Sequence, residues 1–72
     1  MMYFELIFHS EILGESIVLR KGNRIPSLNE AQVYYHEMER NQGKLVDVIE
    51  VSYDYVKTNF KRRDIEKLPM FG

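Results

Sequence analysis

Two histidines, His9 and His36, are the first residues to test for chemistry, because neutral imidazole is a common zinc ligand. His36-Glu37-Met38-Glu39-Arg40 opens like the helical zinc-protease motif, but Arg40 stands where the second histidine belongs. Two imidazoles and a carboxylate could hold zinc only if His9, on a strand, met His36 on the polar face of a helix that points away from the core. Two solvated histidines and no metal are the expectation. There is no cysteine, which removes thiolate ligands, a cysteine nucleophile and any disulfide framework. None of Ser10, Ser16, Ser27 and Ser52 lies in a Gly-x-Ser-x-Gly elbow. Glu37 with Glu39, and Glu50 with Asp54, read as solvent-facing carboxylates. Two carboxylates two apart on a helix point in different directions, which does not suit a shared proton. The four glycines are isolated, so no phosphate-cradling loop and no cofactor are expected. The chain reads as a non-enzyme.

Charge and tyrosine carry more information. Residues 57–72 hold Lys57, Lys61, Arg62, Arg63 and Lys67 against Asp64 and Glu66, a net +3, whereas residues 1–56 carry a net −4. An acidic body therefore carries a basic tail, and the five cations are candidate nucleic-acid contacts, with Phe60 and the tyrosines available for stacking. A whole-chain isoelectric point near 6.1 argues for the plainer reading of a solvated basic terminus. Four of the five tyrosines are Tyr34, Tyr35, Tyr53 and Tyr55. As core residues they would send a hydroxyl to water; any left exposed would suit a protein interface, where tyrosine is enriched.

The elements that must position these groups follow from periodicity. In residues 2–9, Phe4, Leu6 and Phe8 alternate with Tyr3, Glu5, Ile7 and His9, the pattern of a half-buried strand. Gly14 marks a turn, and residues 16–20 pair back as an antiparallel hairpin because the link is too short for a parallel crossover. Ser27-Leu28-Asn29-Glu30 fits a capping box, after which Leu28, Ala31, Tyr34, Tyr35 and Met38 fall within about 120° on a helical wheel. With Gly43 as the stop, an amphipathic helix is expected over 28–42, against a rival strand through Val33 to Met38. Residues 45–56 read as the strongest strand, with Ile49, Val51, Tyr53 and Tyr55 on one face. A bulge near Val48-Ile49 would reconcile that face with Val46 and Val48; burial on both sides of the first half is the alternative. Lys57 onward is ambiguous, with a further strand or short helix possible at 60–68. Residues 69–72 are expected to fray unless Phe71 docks on the body.

The chain has 72 residues, 44% apolar and 29% charged with a net charge of −1, which allows one small domain and leaves no charge excess to disorder it. The expected domain is 1–68. No apolar run exceeds four residues, and Glu5 interrupts the only apolar start. No signal peptide and no membrane span are expected, and the compartment expected by default is the cytoplasm. The expected fold is α+β: a small antiparallel sheet in the order β-β-α-β, with the helix stripe of Leu28, Ala31, Tyr35 and Met38 packed on Phe4, Leu6, Phe8, Ile49 and Val51. One helix covers one face. Tyr3, Ile7, Val46 and Val48 would then be partly exposed on the other, and a homodimer would bury them.

Ile25-Pro26-Ser27-Leu28-Asn29-Glu30 and Val48-Ile49-Glu50-Val51-Ser52-Tyr53-Asp54-Tyr55 together resemble a pattern of small phage and bacterial proteins, in which a proline turn precedes a strand and a Val-x-x-Val strand follows. Asn29 replaces the usual glycine of that pattern, and Gln32 stands where it has valine. The resemblance implies a small all-β barrel of SH3-like type and a strand over 31–39. It implies no activity. The functional expectation is a non-catalytic module, an adaptor or inhibitor of phage-like type, docking on a partner protein through Tyr34, Tyr35, Tyr53 or Tyr55. The alternatives are nucleic-acid binding through the basic segment 57–67 and a structural subunit of a larger assembly.

Overall fold

Strand-forming alternation at the start of the chain produces the central strand of the protein. The computed structural model describes all residues, Met1–Gly72. Strand β1 (Met2–Ser10) pairs antiparallel with β2 (Gly14–Gly22). The connection is tied by Ser10, whose Oγ accepts from the amides of Ile12 and Leu13, both at 3.2 Å, and Gly14 follows at φ 79°. On its other side β1 pairs antiparallel with β3 (Lys44–Val51). A two-residue strand β4 (Met70–Phe71) runs parallel to β2, giving the order β3-β1-β2-β4. The fold is α+β, a curled mixed sheet of half-barrel shape with several short helices.

Helix α1 (Leu28–Tyr34) starts where the capping signal places it, with Ser27 Oγ accepting from the Glu30 amide at 3.2 Å. The reciprocal half of the box is not made. Arg24 holds the Glu30 carboxylate instead, Nη1 donating to Oε1 at 2.7 Å and Nη2 to Oε2. A two-pronged charged pair outcompetes a single amide for the same oxygens. The expected helix 28–42 is broken rather than continuous. Tyr35 leaves helical geometry at ψ 20°, His36–Met38 forms a 3-10 turn, and α2 (Glu39–Gln42) completes the segment. Val33, Tyr34, Tyr35 and His36 are all modest helix formers, and the buried Tyr35 is held in the core at the break. The strand over 31–39 implied by the barrel resemblance is absent. Gly43 ends α2 at φ 94°, and a Cβ there would come within 2.3 Å of the His9 carbonyl oxygen, so only glycine lets the chain pass under β1.

The strand expected over 45–56 stops at Val51. Ser52 caps a helix instead, its Oγ accepting from the Tyr55 amide at 3.1 Å, and α3 (Tyr53–Asn59) follows. Tyr53, Val56 and Phe60 recur at helical spacing, and burying Val56 completely outweighs the alternation of Ile49, Val51, Tyr53 and Tyr55. The bulge lies earlier than expected. Ile7 faces Asp47 while Phe8 faces Leu45, so Val46 is the extra residue. This sets the phase of the strand: Leu45 and Val48 face the first helix, and Ile49 and Val51 face away from it. A short helix α4 (Arg62–Glu66) occupies the ambiguous stretch. Residues 69–72 include β4, and Phe71 is buried.

The sheet therefore separates two clusters. On one face Phe4, Leu6, Phe8 and Leu45 pack with Ala31, Tyr35 and Phe71, flanked by Val18, Ile25, Met38 and Val48. Leu28, expected in this stripe, stands half exposed at the helix start. On the other face Leu19 packs with Val56 and Ile65, flanked by Tyr3, Val51 and Leu68.

Candidate functional site

Neither cluster leaves a polar group buried without a partner, so functional groups are sought at the surface. The second face divides into a covered half and an open half. Helices α3 and α4 cover the end where β1 begins. Lys21 ties them down: its Nζ donates to the carbonyl oxygens of Ile65 and Glu66, both at 3.0 Å, and places a cation at the C-terminal end of α4.

Between this helical cover and the strands lies a cleft of about 370 Å³, lined by Tyr3, Lys21, Tyr53, Lys57, Phe60, Arg62, Ile65 and Glu66. The Tyr3 and Tyr53 rings lie 5.8 Å apart at 36°, and Lys57 Nζ stands 5.8 Å from the centre of the Tyr53 ring. Lys57 also pairs with Asp54 at 3.4 Å, and Arg62 with Glu66 at 3.1 Å. Three aromatic rings, three cations and one carboxylate thus meet around an apolar floor made by Ile65.

The open half lies towards the β1–β2 turn. Ile7 sits at its centre, with Ile17 directly across on β2, 56% exposed, and Ile49 diagonal on β3, 44% exposed. The bulge residue Val46 is 41% exposed. Charged residues surround this apolar group on the same strands: Glu5, Glu15 and Asp47 against Lys44. Of the four residues expected to be partly exposed, Tyr3 and Val48 are partly buried, the first beside α3 and the second turned into the opposite core by the bulge, Val46 is exposed, and Ile7 is buried at 8% exposure between its strand neighbours.

The four candidate tyrosines have separate environments. Tyr35 is core, only 8% exposed, and burial pushes its hydroxyl up to about 12. That takes it out of reach of a docking partner. Tyr34 is half exposed, its ring 4.8 Å from both Tyr35 and Phe71. Arg24 stacks on the far part of this group, 5.1 Å from the Phe71 ring centre, and its hydrogen bond to Glu30 holds that carboxyl below its ordinary value. Tyr53 lines the cleft. Tyr55 stands beside the open half, and its hydroxyl donates to Glu5 Oε2 at 2.9 Å, a hydrogen bond that raises the tyrosine pKa.

The basic candidates also divide. Lys57 and Arg62 line the cleft, while Lys61, Arg63 and Lys67 form no ion pair. Arg63 and Lys67, four apart, share one flank of the α4 segment. His9 and His36 sit on opposite sides of the sheet, His36 with Nδ1 against the Val33 carbonyl at 3.1 Å and Nε2 near Glu37 at 3.2 Å. Sequence reasoning did not find Tyr3, Lys21 and Ile65 as cleft residues, or Ile17 and Ile49 as surface ones. Once residues 53–60 are read as a helix, the spacing of Tyr53, Val56 and Phe60 brings the cleft into view.

The edge of the sheet at β3 is obstructed by side chains at Leu45 and Val48. Leu45 donates its amide to Glu39 Oε2 at 2.8 Å and accepts from Gln32 Nε2 at 2.9 Å, and the Val48 amide donates to Asp47 Oδ1 at 2.8 Å. A visiting strand would have to displace all three. No helix is long and apolar enough to cross a membrane. No family model, curated protein or solved structure matches the chain.

Proposed function

We propose that the protein is a non-catalytic protein-binding module that docks through the open half of its second sheet face. The observation carrying this reading is that Ile17 and Ile49, on the strands either side of the buried Ile7, stay exposed beside the helical layer on the same face. Exposed branched side chains clustered within a charged rim are the surface form of a docking site. Tyr55 at the border supplies an aromatic anchor of the kind that dominates interface energies. The rim of Glu5, Glu15 and Asp47 against Lys44 favours a partner that presents an apolar ridge flanked by basic side chains. Docking by strand addition at β3 is disfavoured by the side chains that close that edge.

A photo-reactive residue placed at Ile17, compared with one at the exposed Val33 on the α1 side, tests the surface directly. A discrete cross-linked adduct from Ile17 alone in native lysate is expected, and Ile49→Glu should abolish it. Equal labelling from both positions, or none from Ile17, would remove the docking face. Sedimentation of the purified chain separates a foreign partner from a second copy, since the homodimer alternative gives twice the 8.6 kDa mass.

A further inference from the structure

The cleft over Ile65 has a composition that a docking surface does not need. Tyr3, Tyr53 and Phe60 offer ring faces, while Lys21, Lys57 and Arg62 outnumber the two carboxylates that meet them, Asp54 on Lys57 and Glu66 on Arg62. Its volume, about 370 Å³, lies at the low end of the range of about 300–1,000 Å³ for sites that enclose a small organic ligand. A ligand matching this lining has a flat, uncharged ring and an attached anion. In and beside α4, whose Arg62, Ile65 and Glu66 line the cleft, Lys61, Arg63 and Lys67 hold no carboxylate partner, so their charge is available to further anions. Rings that accept a base, with free cations on the adjoining helix, are the two parts of a single-strand binding groove.

We propose that the cleft binds an unpaired nucleotide within a single-stranded nucleic acid. The base enters among Tyr3, Tyr53 and Phe60, the adjoining phosphates meet Lys57 and Arg62, and the strand continues past Lys61, Arg63 and Lys67. Lys21 is held by two carbonyls and shapes the floor rather than reaching out. A duplex cannot deliver a base to the rings without unpairing it. The whole chain carries a net charge of −1, so attraction to a strand is local to residues 57–72 and is not a general polycation effect. This inference does not rest on the docking face, which occupies the other half of the sheet. If both sites operate, the molecule joins a protein to a strand.

The test is fluorescence polarisation with labelled ten-nucleotide oligouridylate and oligothymidylate, a duplex of equal length, and unlabelled mononucleotide and phosphotyrosine peptide as competitors. Single strands are expected to bind more tightly than duplex. Lys57 and Arg62 already hold carboxylate partners, so the three free cations set a salt slope near −2, and affinity should fall about 20-fold between 50 and 200 mM salt. Tyr53→Ala and Phe60→Ala should each weaken binding by about 5- to 160-fold, the range for loss of one stacked base. Both side chains are substantially exposed, and an unchanged circular-dichroism melt confirms that the variants are folded. The triple change Lys61→Gln, Arg63→Gln and Lys67→Gln should flatten the salt slope. Absence of binding at 50 mM salt, equal affinity for duplex, or wild-type affinity in both aromatic variants would overturn the proposal. So would competition by the mononucleotide or the phosphotyrosine peptide at the affinity of the ten-mer.

Discussion

The two faces of the sheet are made by the same strands yet differ in how they are finished. The first face is sealed by α1, the 3-10 turn and Phe71, with Phe4, Leu6, Phe8 and Leu45 fully buried. On the second, Val56 alone is fully buried, Ile7, Leu19 and Ile65 nearly so, and part of the apolar surface stays in water. Alternation along a strand supplies both faces with apolar residues, but where the helices land decides which face becomes core and which becomes surface. The difference assigns stability to the first face and leaves the second to carry the candidate sites.

That contrast predicts a graded set of effects. Phe4→Ala removes a buried ring that meets Phe71 edge-on at 6.0 Å and should cost about 3–5 kcal/mol. A chain of this length has a total stability of roughly 4–11 kcal/mol, so urea titration should find the midpoint of this variant lowered by a large fraction of the wild-type value. Val56→Ala removes only two methyl groups and should cost about 2 kcal/mol. Hydrogen exchange should show that loss concentrated in α3 and α4. If Val56→Ala destabilises as much as Phe4→Ala, the two faces are equal partners in the core and the contrast fails.

The next effect is tied to pH. Tyr35 has its hydroxyl raised to about 12 by burial, whereas an unfolded tyrosine ionises near 10. The unfolded chain therefore loses its proton first, and stability present below pH 10 is lost as pH rises through 12. The expected loss is about 2 kcal/mol, and Tyr35→Phe should remove that part of the alkaline slope in denaturation curves measured from pH 9 to 12.

The smallest effects come from the caps. Ser27→Ala and Ser52→Ala each remove an amide acceptor at a helix start and should cost about 1 kcal/mol. Amide exchange distinguishes them, because Ser27 supports the sealed face and Ser52 the partial one. Ser52→Ala should speed exchange in α3 while leaving Phe4 and Leu6 protected; Ser27→Ala should lower protection across the core.

Much of the first face was legible in the sequence. The alternation of Phe4, Leu6 and Phe8, the turn at Gly14 and the Ser27 cap each correspond to a feature of the structure. The second face was harder to read because residues 49–56 satisfy two periods at once. Ile49, Val51, Tyr53 and Tyr55 alternate, and Tyr53, Val56 and Phe60 repeat at helical spacing. Only the Ser52 cap, a signal of the same kind as Ser27, separates the two. The bulge at Val46 was equally hidden, since its position depends on the pairing of β3 with Ile7 and Phe8 rather than on local residues. Of the candidate sites, the cations of 57–67 were visible as a charge run. The rings that join them in a cleft come from both ends of the chain, which periodicity cannot bring together.

The closed edge of β3 has a consequence for growth of the sheet. On the opposite side β4 pairs only with Lys21 and Gly22, leaving most of β2 without a strand neighbour there. One side is therefore stoppered and the other is not. Two molecules meeting along β2 would leave a stoppered side facing outward at each end, and a third molecule would find nowhere to add. Continuous stacking of strands requires two receptive sides on every unit, and this chain has one. Strand-to-strand association along β2 is therefore expected to favour a pair over a continuous stack.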